Sequence, residues 1–185
     1  FKKGKQSSYL FNYRFATMGL IDMIVPGGMG QGAGLRYQDL SFKLHFPTLK
    51  AGTFSVWGIG TLDRYKDDAS DNPGDWETED DKISNKATQY MAATGITHKY
   101  FLKRDTYMQS NLAVTIRSND MLSKRTDNSS TKLTDFDMEG QNIDAIFGSF
   151  INKKISANHT NRTGVNIKGL FYNLDYKMRH PHTTP

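Results

Sequence analysis

Apolar and polar residues alternate along most of this chain, and the pattern is clearest in the segment SSYLFNYRFAT at residues 7–17. Aromatic side chains occupy every second position there, and polar or small residues fill most of the positions between them. Successive side chains of a β-strand point to opposite faces of the sheet. The segment is therefore predicted to be a strand with one aromatic face and one largely polar face.

The same two-residue period recurs in six further segments. They are residues 35–47, 52–63, 87–102, 106–118, 144–151 and 162–178. A chain of 185 residues is long enough for one domain with a core of its own. We therefore predict an all-β fold in a single domain, 1–185, built as an antiparallel up-and-down meander of about seven strands.

The joins between these segments alternate in length. Short joins cover residues 47–52, 102–105 and 152–161, whereas long joins cover 18–34, 64–86 and 118–142. In a meander, successive joins lie at opposite ends of the sheet. The sequence therefore predicts short turns at one end of the sheet and long loops at the other.

Short turns at one end, long loops at the other and strands with one apolar face are typical of outer-membrane β-barrels. Such strands cross the hydrocarbon with about 9–11 tilted residues, close to the length of the alternating segments. We therefore expect the meander to be part of a transmembrane β-barrel in a bacterial outer membrane. The predicted lipid-facing residues are Tyr9, Phe11, Tyr13, Phe15, Leu40, Phe42, Leu44, Val114 and Ile116. The predicted lumen-facing residues are Asn12, Arg14, Asp39, Lys43, His45 and Asn111.

Composition and charge narrow the classes of function. The chain has no cysteine, which excludes disulfides and thiolate chemistry. Residues 63–82 contain nine acidic and three basic residues, a local charge of −6, and the rest of the chain carries +11. The basic residues are dispersed along the chain and form no compact cluster, so no nucleic-acid partner is expected. The chain begins at Phe1 without an initiating methionine, and we interpret it as a piece of a longer polypeptide.

Candidate chemistry is sparse. Ligand contacts are predicted at Arg14, Tyr65 and Trp76, which place a guanidinium and aromatic rings near the long loops. The acidic loop 67–81 and the segment DFDMEG, with Asp135, Asp137 and Glu139, are weak calcium candidates because they offer several carboxylates. Counted from Asp135, the twelfth place of an EF-hand loop falls on Ile146, where the bidentate glutamate belongs. The H-x-H pair at 180–182 has no further metal ligand nearby in the sequence, so no resident metal is predicted. No cofactor and no catalytic residue are predicted either.

Three segments carry a resemblance to a known family. They are SSYLFNYRFATMGLIDMI, LRYQDLSFKLHFPTLKAGTFSVWGIG and NKKISANHTNRTGVNIKGLFYNLDY. Together they resemble the barrel of a TonB-dependent outer-membrane receptor of the Bacteroidetes type that carries a carboxypeptidase-regulatory-like extension. The resemblance implies a plugged barrel of about 22 strands that takes up a scarce nutrient such as a glycan, peptide, siderophore or cobalamin. It implies as partners the outer-membrane bilayer, a plug domain, TonB acting through an absent N-terminal part and, in some relatives, a capping surface lipoprotein.

A soluble fold produces the same alternation. In a soluble all-β carbohydrate- or lipid-binding module the apolar faces turn towards one another and form a shared core. The two hypotheses differ at Leu44, which faces lipid in the first and the core in the second. An arginine at this position is tolerated at moderate cost near a bilayer midplane but prevents folding in a soluble core.

Overall fold

The computed structural model describes residues 7–17, 36–70, 72–127 and 131–179. Within these ranges the chain folds into a single antiparallel sheet. Its strands are β1 (Ser8–Thr17), β2 (Arg36–Pro47), β3 (Thr53–Asp67), β4 (Ile83–Lys103), β5 (Thr106–Thr126), β6 (Lys132–Lys154) and β7 (Thr160–Met178). The predicted all-β class and the count of seven strands are confirmed.

The strands follow one another in the sheet in chain order, from β1 to β7. Every neighbouring pair is antiparallel, so the sheet is an up-and-down meander as predicted. In the described part of the chain β1 pairs only with β2 and β7 only with β6. The sheet is therefore open, with unpaired backbone groups along two edges.

The central strands are much longer than the alternating pattern indicated. β4 and β5 have 21 residues each and β6 has 23, which corresponds to about 70 Å of extended chain. The long loop predicted at 118–142 is wrong, because most of that segment continues β5 and β6 as a paired hairpin. Its apolar residues, such as the cross-strand pair Met121 and Met138, do not alternate regularly with polar ones, so the pattern gives no strand signal although the backbones pair in the ladder.

Three tight connections lie at one end of the sheet, at residues 48–52, 104–105 and 155–159. In the first, Gly52 adopts a φ of 80°, and its carbonyl accepts hydrogen bonds from the backbone N–H and the hydroxyl of Thr48. This left-handed conformation favours glycine because it has no Cβ. At the opposite end lie 68–70, 72–82, 127 and 131, whereas the glycine-rich loop predicted at 18–34 lies outside the described residues.

Helical structure in the described residues is limited to two short 3₁₀ turns, Pro73–Asp75 and Glu79–Lys82, both in the connection between β3 and β4. Neither is long or apolar enough to cross a bilayer. Asn72 caps the first turn by accepting from the N–H of Gly74, and Pro73 occupies its first position, where a missing N–H costs nothing.

Candidate functional site

The ladder sorts side chains onto two chemically different faces. Direct partners in an antiparallel ladder point to the same side, so one rung crosses all seven strands on one face. The rung that begins at Tyr9 is apolar throughout: it continues through Leu44, Val56, Ile96, Leu112, Phe147 and Ile167. We call this side the apolar face and the opposite side the polar face.

All of the residues predicted to face lipid lie on the apolar face. Tyr9, Phe11 and Tyr13 pair with Leu44, Phe42 and Leu40, and Phe15 follows on the same side of β1. Val114 and Ile116 continue the same face through Thr94 and Ala92 of β4. All of the residues predicted to face a lumen lie on the polar face, where Arg14 pairs with Asp39 and Asn111 pairs with Thr97.

The apolar face is uncovered. No hydrophobic side chain in the described part of the chain is buried. On the middle strands Ile96, Leu112, Val114 and Phe147 are 41–57% exposed. Their polar-face neighbours, such as Thr97 and Thr115, are half-buried. The sheet thus presents its apolar side chains outwards and has no core of its own.

The apolar surface is a band with two limits. Towards the short turns it ends in aromatic rings: Phe54 stacks on His98 with ring centroids 4.4 Å apart, and Tyr100 follows 6.3 Å from His98. Towards the other end it stops at Tyr90, whose hydroxyl accepts from the side-chain amide of Gln141 at 3.0 Å. Beyond that rung the same face carries Lys86, Asp120, Asp137, Glu139, Asp175 and Lys177.

The height of this band matches a bilayer. On β5 it extends from Met108 to Ser118, about 33 Å along the strand at roughly 3.3 Å per residue. A strand tilt of about 40°, usual for outer-membrane barrels, reduces this to about 25 Å, the height of the lipid-facing band in such barrels.

A hydrogen-bonded cluster occupies the polar face near the end of β1 and the start of β2. Asp39 is only 5% exposed, and its Oδ2 accepts from Arg14 Nε at 2.8 Å and from the Tyr37 hydroxyl at 2.6 Å. Further along the same face, His45 Nδ1 lies 3.0 Å from the Ser55 hydroxyl. Arg14, Asp39 and His45 are therefore engaged in contacts within the sheet.

The three predicted ligand contacts are not brought together. Arg14 is held by Asp39, and Tyr65 lies further along β3, beside Ala87. Trp76 lies in the 68–82 connection, where its indole N–H donates to the carbonyl of Ser70 at 2.9 Å and Lys82 approaches its ring to 5.8 Å. These residues occupy separate places, and Trp76 packs within its own loop.

The 68–82 connection forms an acidic depression of about 400 Å³, in which six of the ten lining residues are carboxylates. Oδ2 of Asp81 accepts from the backbone N–H groups of Glu77 and Thr78 and from the Thr78 hydroxyl. The hydrogen bonds from Thr78 lower the pKa of Asp81 below its ordinary value. Lys82, and then Arg125, lower the pKa of Glu79 in the same way. The carboxylates thus organise the loop itself.

The weak calcium candidate DFDMEG lies in strand β6 and not in a loop, so the loop suggested by this segment is wrong. Asp135 sits beside the register shift between β5 and β6 and accepts from Arg125 Nε at 2.9 Å. Asp137 and Glu139 are alternate residues of β6 and lie on the apolar face, beyond the end of the band. In the described part of the chain no three His, Asp or Glu side chains converge as a metal site. His180 and His182 lie outside that part.

One cluster was missed from the sequence. On the polar face near the short turns, five residues from four strands form an aromatic–cationic cluster: Lys99, Phe101, Tyr107, Phe150 and Arg162. The cluster depends on pairing between strands: Phe101 pairs with Tyr107, and Tyr107 pairs with Asn152, the partner of Arg162. These pairings depend on the register, which local alternation does not supply.

Comparisons with known proteins found no relative. No protein-family model, no curated protein and no solved structure matches this chain.

Proposed function

We propose that this chain is a segment of a transmembrane β-barrel in a bacterial outer membrane and that the barrel takes up a scarce nutrient. The observation that carries the proposal is the exposed apolar face, which crosses all seven strands. Burying apolar surface is the main driving force of folding in water, and this sheet buries none of its large apolar side chains internally. A bilayer supplies the missing apolar environment.

Strand length also supports the membrane assignment. Strands in soluble domains usually have about 3–10 residues, whereas β4 to β6 have 21–23. On the long strands β4 to β6 the apolar band occupies only the part towards the short turns. Beyond the band the same face carries charged side chains such as Lys86, Asp120 and Glu139, as expected for strands that project beyond the bilayer into water on the side of the longer connections.

The narrower assignment to a TonB-dependent receptor rests on the resemblance of the three segments quoted above. Under this proposal the bilayer, a plug domain and TonB are partners, and the barrel is a transporter without enzymatic activity. The open edges of the sheet support a barrel larger than seven strands. β1 and β7 run in the same direction, so antiparallel closure requires an odd number of further strands between them.

Fractionation tests the membrane assignment. Bacteria that make the chain within its native polypeptide are separated into soluble, inner-membrane and outer-membrane fractions, and protease is added to intact cells. We expect recovery in the outer membrane and cuts within 68–82 but not at 48–52, 104–105 or 155–159. Recovery in a soluble fraction, or surface cuts at the short turns, contradicts the proposal and favours the soluble all-β carbohydrate- or lipid-binding module.

A further inference from the structure

The aromatic–cationic cluster holds two positive charges against aromatic rings. Lys99 Nζ lies 4.2 Å from the centroid of Tyr107 and 5.0 Å from that of Phe101. The guanidinium of Arg162 lies 3.6 Å from the centroid of Phe150. The rings of Tyr107 and Phe150 meet edge to face with centroids 6.1 Å apart, so they join the two cations into one unit.

Neither cation has an acidic partner. Within the described ranges no carboxylate lies within 4.0 Å of Lys99 or Arg162, although Arg14 and Lys168 on the same face are paired with Asp39 and Asp144. An aromatic ring attracts a cation through its quadrupole but accepts no strong hydrogen bond. The N–H donors of both side chains therefore remain available to an anion, and a carboxylate can accept two parallel hydrogen bonds from a guanidinium.

A shallow groove of about 360 Å³ runs beside Arg162. Its polar-face lining includes two glycines, Gly148 and Gly164, and the amide side chains of Asn111 and Asn166. A Cβ at position 164 would collide with the carbonyl of Ser149, so this position keeps the floor at backbone level. An occupant can thus approach the sheet closely while the amides on either side offer hydrogen bonds to peptide groups.

We propose that an extended polypeptide segment bearing carboxylates docks in this groove and engages Arg162, which lines it, and Lys99, at the other end of the aromatic–cationic cluster. The groove is open and shallow, whereas sites for small molecules are concave and enclose most of their ligand. A peptide in extended form satisfies both the amides and the charges at once. The inference goes beyond the proposed function, because it depends only on the polar face of the sheet.

The test measures binding of fluorescein-labelled hexaglutamate to the native polypeptide that contains the chain, in detergent micelles, by fluorescence anisotropy. Lys99→Gln and Arg162→Gln are each compared with Lys153→Gln, which removes one positive charge at the same end of the sheet from the opposite face. Far-UV circular dichroism checks that each variant keeps its strands. We expect Kd to rise about tenfold or more in both cluster variants and to stay unchanged in the control.

Two further measurements identify the occupant. Carbodiimide coupling followed by mass spectrometry is expected to join hexaglutamate to Lys99, because this reagent links an amine to a carboxylate in contact with it. Free citrate is expected to compete only weakly. The proposal is overturned if hexaglutamate does not bind, if Lys153→Gln weakens binding as much as the cluster variants, or if citrate binds as tightly as the peptide, which identifies a site for small anions.

Discussion

Arg14 of β1 and Asp39 of β2 are direct partners in the ladder, and Arg14 Nε donates to Asp39 Oδ2 at 2.8 Å. Asp39 is nearly buried, whereas the Arg14 side chain is two-thirds exposed. A slip of one residue would move Arg14 to the apolar face. The pair therefore fixes the register of an edge strand.

This asymmetry predicts unequal effects of removing each partner. Arg14→Gln leaves a nearly buried carboxylate with Tyr37 as its remaining donor, whereas Asp39→Asn leaves a guanidinium that water can solvate. Arg14→Gln is expected to destabilise the β1–β2 pairing more than Asp39→Asn does. Urea unfolding in micelles measures the difference. The double variant should recover most of the loss of Arg14→Gln, and a further loss on adding Asp39→Asn would refute this account.

Charges on the two faces should have opposite consequences. Leu112 lies near the middle of the apolar band, and its neighbour Asn111 lies on the polar face. Leu112→Arg is expected to lower the free energy of unfolding from bilayers by about 2–4 kcal/mol, the cost of an arginine near the midplane. Asn111→Arg should change the free energy of unfolding little, because water can solvate a charge on the polar face. Equal costs for the two variants, measured by urea titration in liposomes, would argue against a lipid-facing surface.

The β2–β3 turn depends on Gly52. Alanine at this position must keep a positive φ, which costs about 1–2 kcal/mol, and its Cβ would also collide with the carbonyl of Lys99. Gly52→Ala should therefore destabilise the sheet by at least about 1 kcal/mol. Gly60→Ala is the matched control, because a Cβ there meets its nearest atom, the carbonyl oxygen of Met91, at 3.7 Å. If Gly52→Ala lowers the free energy of unfolding less than the control does in the same assay, the turn does not require glycine.

The acidic loop should lose its conformation in acid. Hydrogen bonds from Thr78 hold the pKa of Asp81 below its unfolded value of about 3.9. The carboxylate therefore stabilises the loop fully above about pH 5, and this contribution disappears as the pH falls through the unfolded and then the lowered pKa. In a Trp57→Phe background the fluorescence of Trp76 should change in that range. Adding Asp81→Asn should abolish the transition, and a transition that persists would assign it to another group.

The alternation of apolar and polar residues predicted those strands in which neighbouring residues along the chain differ in polarity. The aromatic period of 7–17 and the alternation of 106–118 placed residues such as Tyr13 and Val114 on the face where the register places them. The segment 118–142 was assigned to a loop, because apolar and polar residues do not alternate regularly along it. Hydrogen bonds between backbones, which the pattern does not record, continue β5 and β6 there.

The polar cluster and the loop contacts required knowledge of the register. Arg14 and Asp39 were both expected on the polar face, but which residue pairs with which depends on the length and path of the connection between β1 and β2. Lys99 and Arg162 are 63 positions apart in the sequence, and only the pairing of four strands brings their aromatic neighbours together. Patterns within one strand carry no such information.

The central claim is that the apolar face contacts lipid, and site-directed spin labelling tests it most directly. The chain contains no cysteine, so single cysteines can be labelled with a nitroxide at each position from Met108 to Ser118 without background. In liposomes, accessibility to oxygen is expected to peak at the even positions, and accessibility to a water-soluble nickel chelate at the odd ones. Even positions that are closed to oxygen, or open to the nickel chelate, would contradict the claim.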